Sequence, residues 1–99
     1  MITLNELTDI MLPVINESPI RKVIVFGSYA RGEATDDSDI DIVIDSDGKL
    51  NGMNFFIYAD KLAKALPIKS DIFESIEIQK PSSLYTQILT EGVVIYERA

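Results

Sequence analysis

The chain has no cysteine and no histidine among its 99 residues. That excludes thiol chemistry, disulfides, zinc sites built on those residues, and any Ser-His-Asp triad. Positive charge is scarce too. Nine Lys and Arg stand against 16 Asp and Glu, a net charge of −7. Such a surface repels phosphate backbones and anionic headgroups, so neither a nucleic-acid polymer nor a membrane is the expected partner. No apolar run approaches the ~18 residues that cross a bilayer, and the residues after Met1 are polar rather than a signal core. The expected location is the cytoplasm. Hydrophobic residues at 46% and charged residues at 25% match an ordinary globular mix, which excludes a disordered or low-complexity chain. The length suits one domain, residues 1–99.

Helical and strand patterns alternate along the chain. Thr3 and Glu6 have capping-box spacing, and Leu4, Leu7, Ile10, Met11 and Val14 recur on one helical face. Pro13 is expected to kink or end that helix. Val23 to Phe26 is a continuous apolar run, the mark of a strand buried on both faces. Ile40 to Ile44 is a second such run. Phe55, Ala59, Leu62 and Leu66 predict a helix that Pro67 closes, and Ile68 to Phe73 a third strand. Ser82 or Ser83 opens a last helix ending at Gly92, before a strand at Val93 to Tyr96. The expected class is α/β (α+β): a mixed sheet of about four strands flanked by helices.

Seven of the 16 acids lie between Glu33 and Asp47, with no Lys or Arg among them. Asp39 and Asp41 are two apart on a strand and share a face, while Ile40 and Ile42 point into the core. Side by side, two carboxylates repel by about 0.2–1 kcal/mol. A hard divalent cation such as Mg²⁺ reverses that sign. The plain alternative is a solvated face of an edge strand. Upstream, Gly27 lets the chain leave its strand sharply, and Ser28 opens a short helix whose free N–H groups suit phosphate. Gly27-Ser28 alone is equally an ordinary strand-to-helix turn. Arg31 has two readings as well, a contact to phosphate or base, or a pair with Glu33 or another acid. An EF-hand and a P-loop are both excluded, since neither pattern is present.

Taken together, Gly27-Ser-Tyr-Ala-Arg31-Gly-Glu33 followed by Ser38-Asp39-Ile-Asp41 resembles the nucleotidyltransferase signature of the DNA polymerase β superfamily. Ten residues separate Ser28 from Asp39, as that signature requires. The fuller string is similar to the minimal nucleotidyltransferase (MNT) subgroup, of the antitoxin type. The resemblance implies a third carboxylate on the strand after the middle helix, the place that Asp71 holds. It implies that Asp39, Asp41 and Asp71 bind two Mg²⁺ ions, with Asp71 helping to deprotonate the acceptor. It implies too that Gly27, Ser28 and Arg31 bind the nucleotide donor, ATP.

Larger members of that superfamily carry a helical domain for the acceptor, which has no counterpart here. A homo-oligomer or another protein must then supply that wall. MNT proteins are paired with HEPN proteins, small helical RNases, in toxin–antitoxin modules. The resemblance therefore implies transfer of AMP to a tyrosine of a HEPN toxin, in a type VII antitoxin role. Two alternatives stand beside it, a small-molecule nucleotidyltransferase like the aminoglycoside-modifying enzymes, and a catalytically idle antitoxin that acts by binding. Among the neighbouring residues, Ser38 is read as ordering the loop before Asp39, Tyr29 as packing, and Asp36, Asp37, Asp45 and Asp47 as solvated acids.

Overall fold

The chain order is α1 (Leu4–Asn16), β1 (Lys22–Phe26), α2 (Ser28–Arg31), β2 (Ile40–Asp45), α3 (Met53–Ala65), β3 (Ser70–Glu74), α4 (Ser83–Glu91) and β4 (Val93–Glu97), with a 3₁₀ turn at Ser75–Glu77. These elements come from a computed structural model that describes residues 1–98. The expected capping box starts α1: the Thr3 hydroxyl accepts from the Glu6 N–H, and the Glu6 carboxylate accepts from the Thr3 N–H, both at 3.1 Å. Leu7, Met11 and Ile15 are the fully buried face of that helix.

Of the two outcomes expected of Pro13, a kink or an end, the second is not met, because α1 runs on to Asn16. The proline falls in the last turn, where its missing N–H removes one helical bond. Burial of Ile15 and two hydrogen bonds from Ser18 to the Ile15 carbonyl hold that turn closed. The third strand begins at Ser70 rather than Ile68, because its ladder to β2 starts there, opposite Ile40. The 3₁₀ turn has no periodic signal and was not expected; the Glu74 carboxylate caps it by accepting from the Ile76 N–H.

The strands form one mixed sheet in the order β3-β2-β1-β4. β1 runs antiparallel to β2 and β4, and β2 runs parallel to β3. A parallel neighbour needs a crossover, which α3 supplies. Alternation splits the strand side chains between two cores. Val23, Val25, Ile40, Ile42 and Ile44 pack with α1 and with Leu62 of α3. On the other face Phe26 and Val43 pack with Ile88 of α4, flanked by Phe73 and Leu84. Phe26 and Phe73 meet at 5.9 Å between ring centroids. The radius of gyration is 12.7 Å.

Leu62 is the one fully buried residue of α3, and Leu89 of α4 is 66% exposed. Leu62→Ala is expected to destabilise the fold by about 2–5 kcal/mol. Leu89→Ala should stay within about 0.5 kcal/mol of the unchanged protein. Chemical denaturation of the two variants checks both values.

Candidate active site

β1 ends at Phe26, and the chain turns at Gly27 with φ of 77°. That conformation favours glycine. A Cβ at Gly27 would also collide with the Asp41 carboxylate. Glycine is therefore needed for the close approach as well as for the turn. Ser28 opens α2, a single turn that the Gly32 N–H closes onto the Ser28 carbonyl. So short a helix offers individual N–H groups and the Ser28 hydroxyl rather than a summed dipole.

The three aspartates reach the same end of the sheet by different routes. Asp39 lies just before β2, exposed, in a loop that Ser38 orders: its hydroxyl accepts from the Thr35 N–H at 2.8 Å. Asp41 is half-buried on β2, one step from the strand's start. The parallel register sets Asp71 of β3 directly opposite it, and the antiparallel register sets Phe26 on its other side. Asp41 shares its sheet face with Val43, and Asp71 shares its face with Phe73, which is the side covered by α4.

Burial holds the Asp41 carboxyl above its usual range. The charge of Asp71, a hydrogen bond with Asp71 and the charge of Asp39 push the same way, and the Arg31 charge opposes them. Among the described residues no three acidic side chains converge as a preformed metal group. The site is instead an open pair, Asp41 with Asp71, on which Asp39 acts through charge. Its donors are all hard oxygens, and the Arg31 charge offsets their repulsion only in part. That chemistry fits a divalent cation of the Mg²⁺ type.

Arg31 pairs with two acids. Its Nε donates to Glu33 at 2.7 Å, and its Nη1 donates to both Glu91 oxygens at 3.1 and 3.0 Å. The bond to Glu33, then that to Glu91, raises the guanidinium's affinity for its proton further. Glu91 was not singled out from the sequence. It ends α4, and its Oε1 also accepts from the Gly27 N–H at 3.0 Å and from the Gln87 amide at 2.6 Å. Bonds from Gln87 first and Arg31 next hold its carboxyl below the usual range. No local pattern announces its role, since Arg31 and Gly27, the partners it has at the site, lie 60 and 64 residues away.

The neighbours follow their expected roles with one correction. Tyr29 is buried and donates to the Ile2 carbonyl at 3.2 Å, a packing role. Asp36, Asp37 and Asp47 are exposed. Asp45 is not a merely solvated acid, because its carboxylate accepts from Arg21 at 2.9 Å and from the Asp47 N–H. An apolar groove of about 360 Å³ between α3 and β3 is lined by Phe55, Phe56, Ile72 and Phe73, and it includes none of the six site residues.

The raised Asp41 fixes a sign. The folded chain keeps that proton to a higher pH than the unfolded chain does. Stability from this group is therefore full at low pH and lost as pH rises through the folded value. Asp41→Asn, free of metal at pH 7, should melt higher by roughly a few degrees. The difference should shrink as the pH falls into the ordinary carboxylate range. Thermal melts in chelator across pH check it.

The model of the family described as polymerase beta, nucleotidyltransferase, matches residues 9–99. The chain is 30% identical to the protein adenylyltransferase MntA of Thermococcus cleftensis, over 96% of this chain and 98% of that protein. It is 34% identical to a candidate protein adenylyltransferase of Methanocaldococcus jannaschii, over 97% and 99% of the two chains. Its fold is similar to a toxin–antitoxin crystal structure with AMP-PNP, at a TM-score of 0.75 and 24% identity, over 92% of this chain and 73% of that one. It is similar also to a chain in the complex of a tri-AMPylated Shewanella oneidensis HEPN toxin with MNT antitoxin, at a TM-score of 0.71 and 21% identity, over 95% and 72%. With the Gly-Ser turn beside aspartates on adjoining strands, and a match along nearly all of its length, the chain belongs to the polymerase β nucleotidyltransferase family.

Proposed function

We propose that this nucleotidyltransferase moves AMP from ATP to a tyrosine hydroxyl of a HEPN-type toxin and so acts as its antitoxin. The observation that carries the reading is the register of Asp41 against Asp71 beside the Gly27-Ser28 turn. The relatives' activity and the complexes of similar fold support the acceptor. The reading places the chain in the cytoplasm, working as one domain. Among the described residues no helix is long and apolar enough to cross a membrane.

Asp39, Asp41 and Asp71 would hold two Mg²⁺ ions, which supply charge against the triphosphate and lower the acceptor's pKa. The Gly27 turn and the Ser28 hydroxyl bind and orient the β- and γ-phosphates. Asp71, on the exposed edge strand, receives the proton of the acceptor hydroxyl. A bond then forms between that oxygen and the α-phosphorus, the bond from the α-phosphorus to the bridging oxygen breaks, and pyrophosphate leaves. The net charge of −7 favours a basic protein acceptor over a polynucleotide.

Asp41→Asn should lower transfer by about a thousandfold or more, because charge stabilisation worth several kcal/mol is lost and each 1.36 kcal/mol is tenfold. The variant should still bind the partner. Co-expression with a HEPN-type partner and intact-mass measurement of that partner check this. One AMP increment per modified site is expected with the unchanged enzyme and Mg-ATP, and none with the variant. An unmodified partner alongside an adenylylated aminoglycoside would replace the reading with a small-molecule enzyme. A silenced but unmodified partner would replace it with an idle antitoxin.

A further inference from the structure

We propose that Glu91 is a positioning residue: it holds Arg31 and the Gly27 turn in the attitude that receives the phosphates of a nucleoside triphosphate. The inference rests on the nucleotide reading above and adds a residue from the far end of the chain to it.

Three observations carry the assignment. First, the leading N–H of the turn finds no partner within α2, whose own bonds run from the Arg31 N–H to the Gly27 carbonyl and from the Gly32 N–H to the Ser28 carbonyl. α2 is one turn long, and Gly27 caps it with no side-chain hydrogen bond. Glu91 is the group that takes the Gly27 N–H. Second, the Arg31 bonds use Nε and Nη1, to Glu33 and Glu91 respectively. Two anchors fix the plane of the guanidinium, and its second terminal nitrogen makes no hydrogen bond among the described residues. Third, Glu91 stands where its charge disfavours its own helix. A carboxylate in the last turn opposes the helix dipole. Three donors, from Gly27, Arg31 and Gln87, offset that opposition.

The position is itself built. Gly92 follows Glu91, and a Cβ there would stand 2.5 Å from the Ile88 carbonyl oxygen and 2.8 Å from Cγ2 of Ile24. Glycine thus lets the end of α4 press against β1. The Glu91 side chain, 18% exposed, then lies between the helix and the turn.

Glu91→Gln separates the two contacts. The amide oxygen still accepts from the Gly27 N–H, but the charge that orients Arg31 is gone. Calorimetric binding of Mg-ATP to the full chain, without any acceptor, is the primary readout. Affinity should fall about tenfold, the worth of one charge-assisted hydrogen bond, at a temperature where both chains are fully folded. Once Arg31→Ala is present, adding Glu91→Gln should cost nothing more. In turnover with the partner, KM for ATP should rise and kcat stay nearly unchanged. Tighter binding by Glu91→Gln would mean that Glu91 competes with phosphate, which overturns the assignment. Unchanged affinity overturns it, and so does a loss of affinity that comes with partial unfolding at the temperature of the titration. Absence of Mg-ATP binding by the unchanged chain removes the nucleotide reading and this one with it. Binding by the unchanged chain with an indifferent Glu91→Gln removes this one alone.

Discussion

Like charges held opposite each other organise this molecule's working end. The parallel pairing of β2 with β3 puts Asp41 against Asp71, and the loop before β2 adds Asp39 nearby. Burial and repulsion together raise Asp41. The fold tolerates this because the apolar residues on either side are secured independently. Ile40, Ile42 and Ile44 bury one face of β2, and Val43 with Phe26 and Ile88 buries the other. An arrangement that is unfavourable in the bare chain would become favourable once a divalent cation brought compensating charge.

Much of this was legible in the sequence, and the part that was legible is local. The capping box at Thr3 and Glu6, the apolar strand runs and the Gly27-Ser28 turn depend on neighbours a few residues apart. Asp39 and Asp41 were visible for the same reason, through strand alternation. Asp71 was different. Its place opposite Asp41 depends on a parallel register across the α3 crossover, which periodicity does not encode, so only a family resemblance pointed to it. Glu91 was not visible at all, because every contact that matters to it, apart from Gln87, reaches back more than half the chain. Pro13 shows the opposite limit. The local rule for proline is sound, but burial of Ile15 and the Ser18 bonds outweigh one lost hydrogen bond at a helix end.

The charge layout also explains how an acidic chain can receive an anionic substrate. Arg31 stands on the Gly27–Gly32 turn between the carboxylates of Glu33 and Glu91. The Arg21 charge is taken up at the other end of β2, where Asp45 accepts from it. A divalent cation at the aspartates would supply the positive charge that Arg31, shared between two carboxylates, does not. The groove of about 360 Å³ beside α3 lies apart from that end, so the site is an open face that a partner's surface can close.

The central claim is that a divalent ion and a nucleotide meet at Asp41 and Asp71 beside Gly27. Nuclear magnetic resonance of the isotope-labelled chain, titrated with Mn²⁺ and a non-hydrolysable ATP analogue, tests it most directly. Paramagnetic broadening should begin at the amides of Asp41, Asp71 and Gly27, and Mg²⁺ in excess should reverse it. Broadening centred on Asp45 and Asp47 instead, with the Gly27 turn unaffected, would contradict the account.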